Sequence, residues 1–390
     1  MGKTIVILGA SLAGVPIAHY LLKHTATKVE GLKVILVSPN TDMYWNLASI
    51  RAILPDMMGD DKLFIPLAPA FAKYPSEQYE IIHGVAEKVE PSARTVQIRG
   101  NDGSARTISY DDLVVATGAS FKADMPFKNL STTEETKASL HDWAKRIGAA
   151  KSIVVAGAGA TGVELAGELG QEYAVTGKKE ITLVADQELP FVSKFRRDVR
   201  EAAKKELERL KVKVITNAKV TSPASSNSTT LTLTKTDGTT STLQADLLIP
   251  TFGLIPNTSF LPASMLDARG YIKQTTYLRA EGHDDIFVVG DAGNLQDPQA
   301  AHTEQQTLHV VRLLEARALA AEAAGAAAPE YKPSDKIMFA ATVGRNRGTG
   351  QMGNWKLWSW IVWFAKGRYL GTNYAEDIAK GARTMTVKEW

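Results

Sequence analysis

Twice in this chain a short apolar strand runs into a glycine turn that opens a helix, and this repeat constrains the fold more than any other feature. The first copy is the strand Thr4-Ile5-Val6-Ile7-Leu8 and the turn Gly9-Ala10-Ser11-Leu12-Ala13-Gly14. Helical spacing follows at Ala13, Ile17, Ala18, Leu21 and Leu22, and then a second strand at 33–37. The other copy is a strand at 152–156, the turn Gly157-Ala158-Gly159-Ala160-Thr161-Gly162, a helix over Val163–Tyr173 and a strand at 180–184. Their first glycines lie 148 positions apart. Two copies of one nucleotide-binding unit predict an α/β chain with two Rossmann-type dinucleotide-binding domains and a small C-terminal region.

Composition removes other classes. At 390 residues, 44% hydrophobic and 22% charged, the chain is too apolar for wholesale disorder and too long for one core. A net charge of +3 is too small for a nucleic-acid footprint, so no nucleic-acid partner is expected. The chain has no cysteine, which excludes disulfides, thiolate zinc sites and iron–sulfur clusters, and no metal site is predicted. No apolar run reaches the length of a membrane span. Lys3 leads directly into the first strand, leaving no room for a signal peptide, and Val6 breaks the myristoylation pattern that Gly2 would begin. The expected location is cytoplasmic, with peripheral contact to a membrane (the mitochondrial outer membrane or another lipid surface) left open.

Between and after the repeats, residues 79–116 read as an antiparallel meander turning at Pro91-Ser92 and Asn101-Asp102-Gly103, ending in the strand Leu113–Ala116. Residues 194–211 read as a charged, solvated helix. A Ser/Thr-rich hairpin is expected over 221–242 with Asp237-Gly238 as its turn, strands at 246–250 and 286–289, a helix over 300–324 and a linker from Gly325 to Pro329.

The first turn has Ser11 where the dinucleotide fingerprint has its second glycine, a side chain small enough to hydrogen-bond a phosphate. The rival reading of Gly-x-Ser-x-Ala as a nucleophile elbow is disfavoured, because an elbow follows several strands of its sheet and Ser11 follows one. The acid expected to hold ribose hydroxyls is missing from Val37-Ser38-Pro39-Asn40, leaving Ser38 or Asn40 as substitutes. The second turn matches in full through Gly157, Gly159 and Gly162. Glu164 and Glu168, four apart, share a helix face: Glu164 is read as facing the cofactor and Glu168 as a carboxylate stabilised by the helix dipole. Asp186, one place late, is a candidate for the second ribose. Lys194, Arg196 or Arg197 could instead meet a 2′-phosphate, so the nucleotide is NADH or NADPH. Two further strands run into Ala116-Thr117-Gly118 and Gly290-Asp291.

With these motifs the chain resembles the FAD-dependent pyridine-nucleotide oxidoreductases, two-domain flavoproteins of glutathione-reductase-like architecture, across residues 3–330. Within them it is most similar to the apoptosis-inducing-factor-like and ferroptosis-suppressor-like branch, related to type II NADH dehydrogenases. That closer resemblance rests on Tyr44-Trp45-Asn46-Leu47-Ala48-Ser49-Ile50-Arg51, Gly162 to Glu168, Gly253-Leu254-Ile255-Pro256-Asn257-Thr258 and Gly344 to Gln351. It implies an FAD domain from 1–120 and 250–328, an NAD(P)H domain from 121–249, and a C-terminal interface or membrane-contact region from 329–390. FAD would then lie against Gly9, Ser11, Ala13, Gly14, Ala116, Thr117, Gly118, Gly253, Gly290 and Ala301. Asp291 would hold the ribityl chain, Arg51 would contact the flavin side, and Val85 would fall at the adenine. Gln299 stands where relatives often carry lysine, and His302 close by is a candidate proton donor beside the flavin, a catalytic role paired with that of Glu164.

A chain of this fold without cysteine cannot pass electrons through a thiol pair, so electrons must go from flavin directly to an external acceptor such as a quinone. Oxygen, or a signalling role with little turnover, are the alternatives. Residues 355–364, Trp-Lys-Leu-Trp-Ser-Trp-Ile-Val-Trp-Phe, read as an apolar helix with Lys356, Ser359 and Lys366 in one sector. With Arg368 beyond, 355–368 is a candidate membrane surface, with burial or a homodimer contact as the competing reading.

Overall fold

Strands that read as continuous apolar runs need cover on both faces, which is the setting of a parallel sheet. In the computed structural model, which describes residues 2–222, 230–319, 329–334 and 336–390, five such strands pair in parallel. Their order is Ile286–Val288, Asp112–Val115, Thr4–Leu8, Lys33–Ser38 and Tyr79–Glu90. The last strand changes partner midway. Its first half runs parallel to 34–38, and its second half turns antiparallel against Thr95–Gly100 and so carries the expected meander. The chain thus returns to its first sheet after the second unit is complete. In that sheet the buried Asp112 forms an ion pair with Lys3 (2.9 Å) and accepts from Arg317 Nε, tying the long helix Ala300–Leu319 to the strands.

The second unit is a parallel sheet in the order Lys213–Ile215, Glu180–Val184, Ser152–Ala156 and Leu247–Pro250. Beside it lies an antiparallel sheet containing the hairpin Thr230–Lys235 and Thr240–Gln244, joined through Asp237-Gly238. The other part of the expected Ser/Thr hairpin, 223–229, lies outside the described residues, as do 320–324 of the expected long helix and 325–328 of the linker.

Two expected helices differ. The charged helix begins at Arg197, because the preceding residues are drawn outward: the Arg196 amide donates to the Gln351 side chain (2.9 Å) and Lys194 pairs with Asp297. In the tail, Trp355–Leu357 is a strand rather than the start of a helix. It pairs antiparallel with Gly348–Met352, itself paired with Met338–Thr342, and helix begins only at Ser359. Backbone pairing to a neighbouring edge outweighs the local helical pattern there. Among the described residues no helix is long and apolar enough to cross a membrane.

The first helix, Gly14–Tyr20, carries the fully buried His19. Its ring stacks on Phe71 at 4.2 Å, and its Nε2 lies 2.8 Å from the Ala379 carbonyl, an acceptor only, so Nε2 carries the proton. Nδ1 then accepts from the Tyr74 hydroxyl at 2.9 Å. Burial pushes the His19 pKa down from 6.5 to about 4. The unfolded chain takes up a proton near its ordinary pKa and the folded chain only near the lower one. Stability is therefore full above that upper value and falls as the pH drops towards the lower. Between pH 7 and 5 the loss attributable to this ring is about 2 kcal/mol. His19→Gln, which keeps a donor for Ala379 but does not titrate, should flatten urea-unfolding free energies over that range by this amount; an unchanged slope would refute the assignment.

Candidate functional site

Both glycine turns are built alike. Gly9 and Gly157 have φ of +106° and +104°, which L side chains rarely adopt. A Cβ on Gly14 would sit 1.8 Å from the Gly9 carbonyl oxygen, and one on Gly162 would sit 1.9 Å from that of Gly157. The third glycine of each turn is thus fixed by a backbone contact that no side chain permits. Gly9 N donates to Val37 O (2.8 Å) and Gly157 N to Val184 O (3.0 Å), anchoring each turn to the next strand of its sheet.

In front of the first turn lies a cavity lined by Ser11, Ala13, Thr117, Gly118 and Asp291. It continues past Leu12, Asn46 and Lys128 into a larger one, about 390 Å³, that reaches Ala160, Thr161 and Glu164 on the helix of the second turn. One cleft therefore joins the two units. Thr117 is braced from the second crossing: its hydroxyl donates to Asn257 O (2.7 Å), and Asn257 Nδ2 donates to Thr117 O (2.9 Å). Gly118 and Gly253 take positive φ in this brace, where Leu254–Pro256 pairs with Ala119–Phe121. Gly290, also at positive φ, delivers Asp291 to the cleft, and its amide donates to Gln306 (2.8 Å).

Asp291 is paired with Lys128 at 2.7 Å. Lys128 belongs to no motif and lies on a loop, so nothing in its neighbours marked it. Asn129 beside it also lines the cleft and has a buried Oδ1 without a partner. At the end of the second strand, Ser38 Oγ accepts from Asn40 N (3.1 Å), while the buried Asn40 Oδ1 is unpartnered. A hydroxyl-rich ligand satisfies such orphaned acceptors. These atoms and the first glycine turn fit a long dinucleotide along the first unit. Val85 lies in the partner-switching strand, opposite Arg99.

The glutamates of the second helix behave differently from each other. Glu164 lines the large cavity, and its Oε1 accepts from Thr342 N (2.9 Å) and Lys366 Nζ (2.6 Å). Lys366 also lines the cavity. Glu168 is not a dipole-stabilised carboxylate. It stands near the C-terminal end of Ala160–Leu169, buried, and its Oε1 accepts from Arg51 Nη2 (2.7 Å) and Nε (3.1 Å). Burial pushes the Glu168 carboxyl up, and the guanidinium of Arg51 opposes the shift. The Arg51 guanidinium, expected on the flavin side, is thus engaged by Glu168. Its remaining bond goes to Gly367 O (3.1 Å), and it lies inside the protein rather than on the cleft.

On the long helix, Gln299 and Ala301 line the large cavity but His302 does not. Successive helical residues are 100° apart, and this step turns His302 into an adjoining polar recess of about 330 Å³, which shares Pro298, Gln299 and Met338 with that cavity. There its Nδ1 donates to Asp297 O (2.8 Å), so the structure does not place it as a proton donor beside the flavin. Asp186 follows the second strand of its unit, exposed, with Lys219 at 4.0 Å. The cations once weighed for a 2′-phosphate are engaged: Arg196 with Asp198, Arg197 with Glu188 and Glu201, and Lys194 with Asp297.

Residues 3–307 match the pyridine nucleotide-disulphide oxidoreductase family. Oxidoreductase ptaL of Pestalotiopsis fici is 37% identical over 92% of this chain and 94% of its own length. Ferroptosis suppressor protein 1 of Xenopus tropicalis is 26% identical over 93% of this chain and 92% of its own. Among solved structures, the sulfide:quinone oxidoreductase of Aquifex aeolicus superposes with a TM-score of 0.77 at 15% identity, covering 97% of this chain and 92% of that one, a likeness of fold. The chain belongs to the pyridine nucleotide-disulphide oxidoreductase family, as an FAD-dependent NAD(P)H oxidoreductase of the ferroptosis-suppressor-like branch.

Proposed function

We propose that this oxidoreductase takes reducing equivalents from NADH and delivers them directly to an apolar, quinone-type acceptor at a membrane surface. The observation that carries this reading is a row of exposed apolar side chains ending at the cleft. Met338, Met352 and Trp355 are register partners across the C-terminal sheet, 51%, 53% and 79% exposed, and Met338 lines the large cavity. Trp358, Trp360 and Phe364 extend the same segment, all exposed. An apolar acceptor meets an apolar path here, and indole rings favour the headgroup layer of a membrane.

The hydride and two-electron chemistry, which no side chain here provides, would be supplied by FAD when bound. The protein's part is placement and charge. The two glycine turns bring both nucleotides into one cleft, and Asp291 with Lys128 fixes a charged pair at the first unit's end of it. Lys366 contributes a cation on the cavity wall shared with Gln299, the position where the resemblance led one to expect lysine. Glu164 holds that cation in place and neutralises part of its charge. Asp186, an exposed carboxylate after the second strand of its unit, favours a 2′-hydroxyl over a 2′-phosphate, and the cations nearby in sequence, Lys194, Arg196 and Arg197, are engaged elsewhere.

A soluble ubiquinone analogue should raise the steady-state rate of NADH oxidation by about tenfold or more over oxygen alone, with NADH outrunning NADPH. Turnover that depends only on oxygen would sink the acceptor assignment. Glu164→Gln should keep its flavin and slow reduction by NADH in stopped flow by roughly 10- to 100-fold, the scale of one lost charged hydrogen bond. Equal slowing of reoxidation, or none of reduction, would remove Glu164 from that step. Trp358→Ser combined with Trp360→Ser should lower sedimentation with anionic lipid vesicles while leaving turnover of the soluble analogue intact; unchanged sedimentation would place the membrane contact elsewhere.

A further inference from the structure

The Tyr44–Arg51 motif touches the cofactor cleft through Asn46, Leu47, Ser49 and Ile50, yet Trp45 and Arg51 point elsewhere. Both bind the C-terminal segment. Arg51 donates to Gly367 O (3.1 Å) and Trp45 Nε1 to Leu370 O (2.8 Å). Gly371, at φ +75°, lies so close under the indole that a Cβ there would meet Trp45 Cζ2 at 2.7 Å. The same device recurs one helix later. His19 Nε2 donates to Ala379 O, and Gly381, at φ +65°, sits where a Cβ would meet His19 Cγ at 2.3 Å. Two rings of the first domain thus each cover a glycine that has to be glycine, and each donates to a nearby carbonyl.

Beyond these glycines the segment fastens to both helices that flank the cleft. Glu304, buried on the long helix beside the cleft-lining Thr303, accepts from Thr386 N (2.9 Å), Thr386 Oγ1 (2.7 Å) and the Thr384 hydroxyl. Trp390 Nε1 donates to Pro16 O (2.8 Å), its ring lies 5.1 Å from that of Tyr20, and Lys23 donates to its backbone oxygen. Pro16 and Tyr20 stand on the helix that the first glycine turn opens. At its other end the segment follows directly on Lys366, the cation on the cavity wall.

We infer that residues 367–390 are a strap that clamps the first helix against the long helix it packs on, fixing the two helix starts that line the FAD cleft, so that Thr386 and Trp390 act as positioning residues for FAD retention. A segment docked by backbone carbonyls and two buried rings opens as a unit, and its opening loosens the two helix starts against which the ligand would lie. By linkage, docking of the strap and binding of FAD then favour each other by one and the same factor. The inference rests on FAD binding alone and stands apart from the identity of the acceptor.

The test is the rate at which the FAD-loaded protein releases flavin on dilution, read from the rise in flavin fluorescence. Trp390→Phe keeps a ring but loses the N–H, and Thr386→Ala loses one hydroxyl to Glu304; each should release FAD about fivefold faster, the scale of one hydrogen bond. Leu231→Ala, in the core of the other domain's antiparallel sheet, serves as a control that lowers the melting temperature without touching the strap. It should leave the rate as in the wild type. Release at the wild-type rate from both strap variants would overturn the inference, as would equal acceleration in the control. Should one strap variant fail to fold by circular dichroism, the other decides.

Discussion

The structure depends on a backbone contact made twice. In each unit the third glycine of the turn lies against the carbonyl of the first, at a separation that leaves no space for even a methyl group. That contact packs the helix onto its strand and leaves the turn's backbone open to a ligand. Because it is made at two places in the chain, two such surfaces arise, and the return of Ile286–Val288 to the first sheet sets them on one cleft. Without that return, Asp291 would not stand opposite Thr117 and Gly118.

The two units are joined by buried charge as well as by apolar packing. Arg51 of the first unit meets Glu168 of the second, with Glu164 and Lys366 one helical turn away. A buried pair of this kind adds little net stability, since desolvation offsets attraction. Removing one partner, however, leaves an unpaired charge at a cost of about 3–5 kcal/mol. The pairs consequently act by excluding other arrangements: the helix Ala160–Leu169 has one rotation that satisfies both glutamates. That rotation puts Glu164 on the cavity and Glu168 behind it.

The C-terminal region serves both ends of the molecule. Its sheet presents Met338 to the cavity and Trp355 to the outside, while the segment after Lys366 returns to the first domain and closes on its helices. A family named for disulphide chemistry is here represented by a chain without a single cysteine. No thiol pair of this chain can therefore relay electrons from a bound flavin.

Much of the architecture was legible from residue order alone. Strands at 4–8, 152–156 and 180–184, both turns and the meander follow from periodicity and glycine spacing, which are local properties of the chain. The absence of a thiol path was equally plain. What residue order did not reveal was which charges meet: Lys128 with Asp291, Arg51 with Glu168 and Lys366 with Glu164 span up to 202 positions. Nor did it reveal that Trp355–Leu357 is a strand, or that one helical step removes His302 from the cavity. Local patterns fix turns and helices because their energetics involve near neighbours. Partner choice among distant side chains, and the conformation of a segment that borrows another strand's edge, are settled only when the folded chain brings those groups within reach.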